Sequence, residues 1–190
     1  MKRIIFLLIG ILIFNVACQD EFVEPENSLA NFTATKSEKV KTFQSKGHVD
    51  AIPNYDLPAT TCTPVEYEVV LTGGGWVSGH KNLFGKFVQN ESLYERDLCE
   101  VNMTPDGPVI YTHANVELTR SNGDKIFVES HSWVNPVTGD VSGYNIIKDG
   151  TGKFEGAYGE SEMLNGKFDP ETGITSWDED GYINMVLKDE

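Results

Sequence analysis

From about residue 41 onward, apolar and polar positions alternate with a period of two, in short runs rich in Val, Ile, Phe, Tyr and Thr. Gly, Pro, Asn and Asp clusters separate the runs, and a 3.6-residue period is nearly absent. Strands are predicted near 41–50, 65–72, 83–89, 109–120, 125–134, 141–148, 160–168 and 181–188. About eight short antiparallel strands imply an all-β domain, a barrel or a sandwich. The connectors favour sequential neighbours. Asn135-Pro136-Val137-Thr138-Gly139 and Asp169-Pro170-Glu171-Thr172-Gly173 both place Pro second in a turn and Gly where positive φ costs little. Ser121-Asn122-Gly123-Asp124 carries the Asn-Gly pair of a tight hairpin. An up-and-down order follows.

The hairpin 111–134 holds most of the candidate chemistry. One face of its first strand presents Tyr111, His113, Asn115 and Glu117, and the other presents Thr112, Ala114, Val116 and Leu118. Alternation makes the second set the core face and the first set either solvent-exposed or the lining of a polar lumen. On the partner strand Phe127, Glu129, His131 and Trp133 alternate with Ile126, Val128, Ser130 and Ser132. Pairing Arg120 with Lys125 would put His113 opposite Ser132 and send His131 to the other side. A one-residue bulge at the turn would instead gather His113, His131, Glu117 and Glu129 on one face beside Trp133. Tyr111, His113, Asn115, Glu117, Glu129, His131 and Trp133 are thus the candidate ligand lumen, with a polar outer face as the competing reading. No metal and no cofactor is assigned.

The N-terminal pattern is different. Lys2 and Arg3 precede the unbroken apolar stretch Ile4 to Phe14, and Asn15-Val16-Ala17-Cys18 follows, the layout of a secretory leader. That stretch is well short of the ~20 apolar residues needed to span a bilayer as a helix. Ala17-Cys18 resembles a lipobox, which implies acylation of Cys18 after removal of residues 1–17. Gln19-Asp20-Glu21 resembles the acidic tag of lipoproteins displayed on the outer face of the gram-negative outer membrane. The expected location is the bacterial cell envelope, with the membrane as a partner through the lipid on Cys18. Residues 18–40 are polar, aperiodic and contain Pro25, so they read as a tether. Residues 41–190 then form one domain, large enough to bury a core.

The formal net charge of −14 becomes two units more negative when Lys2 and Arg3 leave with the leader. With no basic cluster longer than two neighbours, nucleic acid is excluded as a partner, because phosphate binding needs a basic face. Once Cys18 is lipidated, Cys62 and Cys99 remain as a pair in an oxidising compartment and are expected to form a disulfide. Closing a loop of that length would contribute roughly 3 to 4 kcal/mol.

From Gly75 the chain reads GWVSGHKNLFGKF, then the Asn-Gly-Asp hairpin, the Pro-Val-Thr-Gly turn and Gly150-Thr151-Gly152-Lys153-Phe154-Glu155-Gly156-Ala157-Tyr158-Gly159. This succession resembles the allene oxide cyclase-like and dirigent-like barrel superfamily over about 110 residues. The resemblance implies a calycin-like, eight-stranded antiparallel up-and-down barrel. It carries no catalytic residue onto this chain.

Other motifs exclude more than they suggest. Lys153 precedes Phe154 and not the Ser or Thr of a Walker loop, so the Gly150–Gly159 glycines serve turns and bulges. His48 and His80 stand near strand ends without patterned partners. Asp169 and Glu171, and Asp178, Glu179 and Asp180, lack the spacing of an EF-hand and read as solvated turns. The function expected from these features is binding of a small hydrophobic ligand, or a surface interaction. The alternatives are a cyclase- or isomerase-like enzyme using Glu117 or Glu129 with Tyr111 or His113, and a surface-display protein with no ligand.

Overall fold

A computed structural model describes residues 39–187. The expected leader 1–17, Cys18 and all of the expected tether 18–40 except its last two residues, which belong to β1, lie outside the described residues, as do residues 188–190. Eleven strands are formed: β1 Lys39–Pro53, β2 Ala59–Thr61, β3 Val70–Thr72, β4 Gly74–Lys81, β5 Gly85–Lys86, β6 Leu93–Thr104, β7 Gly107–Thr119, β8 Lys125–Val134, β9 Asp140–Gly150, β10 Tyr158–Phe168 and β11 Thr175–Leu187. Eight of them close a ring in the order β1, β11, β10, β9, β8, β7, β6, β4 and back to β1, every pair antiparallel. The architecture is the up-and-down barrel that the connectors predict.

The expected strands and the eight barrel staves agree in number but not throughout in identity. The runs near 65–72 and 83–89 do not supply barrel staves: the first yields a 3-10 turn, Val65–Tyr67, and short β3, and the second yields two-residue β5. Their places in the ring are taken by β4 and β6. Alternation hides β4 because its inward positions include Gly75, Gly79 and the cation Lys81 beside Val77. It hides β6 because a bulge breaks the period, with Arg96 opposite Ala114 but Leu98 opposite His113.

Closure of the ring depends on the β1–β4 seam, where glycine is required by close approach. A Cβ on Gly79, whose φ is +129°, would lie 2.1 Å from the His48 carbonyl oxygen, and one on Gly47 would lie 2.2 Å from that of His80. The β7–β8 turn has the bulged form. Gly123 takes φ +87° and its N–H donates to the Arg120 carbonyl at 2.8 Å. The two Pro-containing turns are built alike, each with a positive-φ glycine that donates to the residue four earlier, Gly139 to Asn135 at 2.9 Å and Gly173 to Asp169 at 2.7 Å.

One end of the barrel is sealed. Phe84, Phe87 and Phe154 meet there, with ring centroids 5.1 Å apart for Phe84–Phe154 and 5.6 Å for Phe84–Phe87, above Leu118, Ile126 and Ile147. Phe154 reaches this floor from the 3-10 turn Gly152–Phe154, in a connector whose Gly152 and Gly156 take positive φ. At the opposite end the β2–β3 hairpin lies against β6, tied by the Cys62–Cys99 disulfide that the cysteine count predicts. Val69, Leu71, Val101, Ile110 and Val134 pack around that bond.

Candidate functional site

Between the phenylalanine floor and the hairpin end, the barrel encloses a cavity of about 470 Å³. Its wall is the inward set of each strand: Val49 and Ala51 of β1, Val77 of β4, Ala114 and Val116 of β7, Val128 of β8 and Met163 of β10. Tyr55, Leu57, Val70 and Leu71 border it at the hairpin end, so β2–β3 forms part of the mouth. Interiors of eight-stranded barrels are just wide enough to be filled by side chains or to hold one small ligand, and small residues such as Ala51, Ala114, Ser130 and Ser132 leave this one unfilled.

A charged cluster sits in the apolar wall. Glu179 of β11 is 5 % exposed and Lys81 of β4 is 4 % exposed, and the two form a buried ion pair between Lys81 Nζ and Glu179 Oε2. Glu179 Oε1 accepts from Asn145 Nδ2 at 2.8 Å and from Trp177 Nε1 at 3.1 Å, and Oε2 also accepts from Ser161 Oγ at 3.2 Å. Every strand involved contributes an inward position, so the cluster exists only in the closed ring. The carboxylate has a donor for each of its about four lone-pair sites. The ammonium has three N–H donors and one carboxylate partner, which leaves donors for a guest.

Nearer the mouth stands a second cation. Arg96, on β6 just before the bulge, donates through Nη1 to the Thr72 carbonyl and lies over the Tyr94 ring at 5.6 Å. Its Nε is buried without a hydrogen-bond partner, and burial lowers its pKa. Both cations border the cavity.

The sequence leaves two places for Tyr111, His113, Asn115, Glu117, Glu129, His131 and Trp133, a ligand lumen or a polar outer face, and in the structure they take the outer face. The pairing of β7 with β8 takes the bulged register, with Tyr111 opposite Trp133, His113 opposite His131, Asn115 opposite Glu129 and Glu117 opposite Phe127. All seven residues therefore share one face, but that face is the outside of the barrel, because Ile110, Thr112, Ala114, Val116 and Leu118 point inward. Alternation permits only one of the two sets to line the cavity, and the apolar set takes the dry side. Glu117 and Glu129 accordingly pair on the exterior with Lys125 and Lys148.

The outer face is nonetheless organised. Asp97, the extra residue of the β6 bulge, accepts from His113 Nδ1 at 2.5 Å and from Asn115 Nδ2 at 3.1 Å. His131 Nδ1 meets the Tyr111 hydroxyl at 2.8 Å, and the His131 ring stacks on Tyr144 of β9 with centroids 4.6 Å apart. Burial, then the neighbouring His113, lowers the His131 pKa. Burial, then Tyr144, raises that of Tyr111, so its hydroxyl stays protonated.

His48 and His80, which sequence left without partners, are cross-strand neighbours on β1 and β4. Asp178 and Asp180 lie within β11 rather than in a turn, facing outward while Glu179 between them faces inward. The signal for Glu179 was present in the sequence: it occupies the same period-two set as Trp177 and Ile183, whereas its acidic neighbours do not.

No protein-family model and no curated protein matches the chain. Among solved structures, the chain is similar to a pterocarpan synthase dirigent protein, with a TM-score of 0.44 and 9 % identity over 80 % of this chain and 94 % of that one.

Proposed function

We propose that the barrel binds one small, mostly apolar molecule bearing at least one hydrogen-bond acceptor, and that lipid on Cys18 holds the protein at the bacterial outer membrane. The observation that carries the binding reading is the unfilled apolar cavity with Lys81 and Arg96 at its wall. A buried donor left without an acceptor costs about 1–3 kcal/mol, and a guest acceptor near Arg96 Nε would relieve it. Binding is favoured over proton-transfer catalysis for a specific reason. Glu179 has its lone pairs engaged by four donors, and Glu117 and Glu129 lie on the outer side of the wall, out of reach of a guest.

The test is native mass spectrometry of the protein purified from its own host, together with titration by an environment-sensitive apolar dye. A stoichiometric small molecule, or saturable dye binding that Ala114→Trp abolishes while the circular dichroism spectrum is kept, is the expected result. Absence of both a retained molecule and any dye binding sensitive to Ala114→Trp would refute the reading.

A further inference from the structure

Among the described residues, His113, Glu129 and His131 are the one group of three His, Cys, Asp or Glu in which one donor atom from each lies within 4.8 Å of the others. Strand pairing is what produces the group. His113 and His131 are directly opposed on β7 and β8, with ring centroids 4.7 Å apart, and Glu129 is two residues from His131 on the same face. The set combines two imidazoles with one carboxylate, a donor set suited to zinc and to copper or nickel, and ill-suited to calcium or magnesium.

The surroundings are those that orient metal-bound histidines. Such rings usually use one nitrogen for the ion and donate from the other to a carboxylate or another acceptor. Here His113 Nδ1 is engaged by the Asp97 carboxylate at 2.5 Å and His131 Nδ1 by the Tyr111 oxygen at 2.8 Å, which leaves Nε2 of each ring as the ligating atom. Glu129 Oε2 accepts from Lys148 at 3.1 Å, and Oε1 is left for the ion. The bulge in β6 aims the Asp97 carboxylate onto this face, where it bonds both His113 and Asn115.

We infer that the outer face of the β7–β8 hairpin is a binding site for a zinc-class divalent cation, ligated by His113, His131 and Glu129, with positions left open to solvent or to a partner's donor. The site is separate from the lumen, from which it is divided by the sheet itself. Three protein ligands leave a tetrahedral ion one vacancy.

The test uses the untagged full chain, stripped with a chelator and titrated with zinc chloride and, separately, copper chloride by calorimetry. One equivalent of zinc is expected to bind, and copper more tightly, in keeping with the general affinity order. His113→Ala and His131→Ala should each weaken zinc binding at least tenfold, and Asp97→Asn, which touches no metal, about tenfold through the orientation of His113. A second histidine pair provides the control. His48→Ala combined with His80→Ala removes the opposed pair on β1 and β4 and should leave the stoichiometry and affinity unchanged. Should an alanine variant lose its circular dichroism spectrum, Glu129→Gln is read in its place and should weaken binding by the same measure. The inference is overturned if no saturable one-equivalent binding occurs with either metal, or if binding survives in folded variants lacking His113 and His131, or lacking Glu129.

Discussion

Removing one member of the Lys81–Glu179 pair should be among the most damaging single changes in the barrel. Lys81→Met leaves the Glu179 carboxylate with Asn145, Ser161 and Trp177 as neutral donors but no countercharge, and Glu179→Gln strands the ammonium. Breaking a buried pair by removing one partner costs about 3–5 kcal/mol. The pair borders a cavity that opens at the hairpin end, so the lower figure of about 3 kcal/mol is expected for each variant. With a urea slope of about 2 kcal/mol/M, each should move the unfolding midpoint down by about 1.5 M. The double variant Lys81→Met/Glu179→Gln removes both charges and keeps a carbonyl to accept from Asn145 or Trp177. It should therefore be less destabilised than the two single losses together, with a coupling of about 2 kcal/mol. Urea denaturation followed by tryptophan fluorescence reads this directly, since Trp177 donates to Glu179. Single variants that each shift the midpoint by less than about 0.5 M, or a double variant equal to their sum, would refute the claim that the lumen holds a coupled, desolvated pair.

The Cys62→Ser/Cys99→Ser variant should lose roughly 3 to 4 kcal/mol in non-reducing urea denaturation, as expected for a loop with a sequence separation of 37 residues, and wild type in reductant should match it. Phe154→Ala should lose about 3–5 kcal/mol, because the fully buried ring plugs the sealed end and nothing nearby can replace it; thermal unfolding measures the loss. The hydrogen bond from His48 to Asp178, 2.9 Å, is the main cause of a His48 pKa above the ordinary 6.5, with burial opposing it. His48 therefore contributes stability that is fully present below pH 6.5 and fades as pH rises through its folded-state pKa. Asp178→Asn should bring the His48 titration, followed by NMR, back down toward 6.5, and an unchanged midpoint would contradict the assignment.

Some of this architecture was legible because strand alternation and turn chemistry are local. The β8 boundaries, the paired Pro-Gly turns and the core face of β7 follow from a period of two and from positions that only glycine fills cheaply. Where inward positions are not apolar, or where a bulge shifts the period, alternation carries no signal, and it misses β4 and β6 for that reason, and Lys81 and Arg96 with them. Adjacency along the chain groups Glu179 with Asp178 and Asp180, whereas in a strand adjacent residues face opposite sides.

The sequence by itself determined the strand-rich class, the up-and-down order and the cysteine pair, since each depends on neighbours along the chain or on simple counting. It also determined that Tyr111, His113, Asn115 and Glu117 would share a face. Only the tertiary structure decided that this face is the exterior, that His113 meets His131, and that Lys81 meets Glu179 inside the ring. The physical reason is that strand register shifts in steps of one residue at a bulge, and each step exchanges inside for outside. Contacts between β4 and β11 exist only once β1 has paired with both and the sheet has closed.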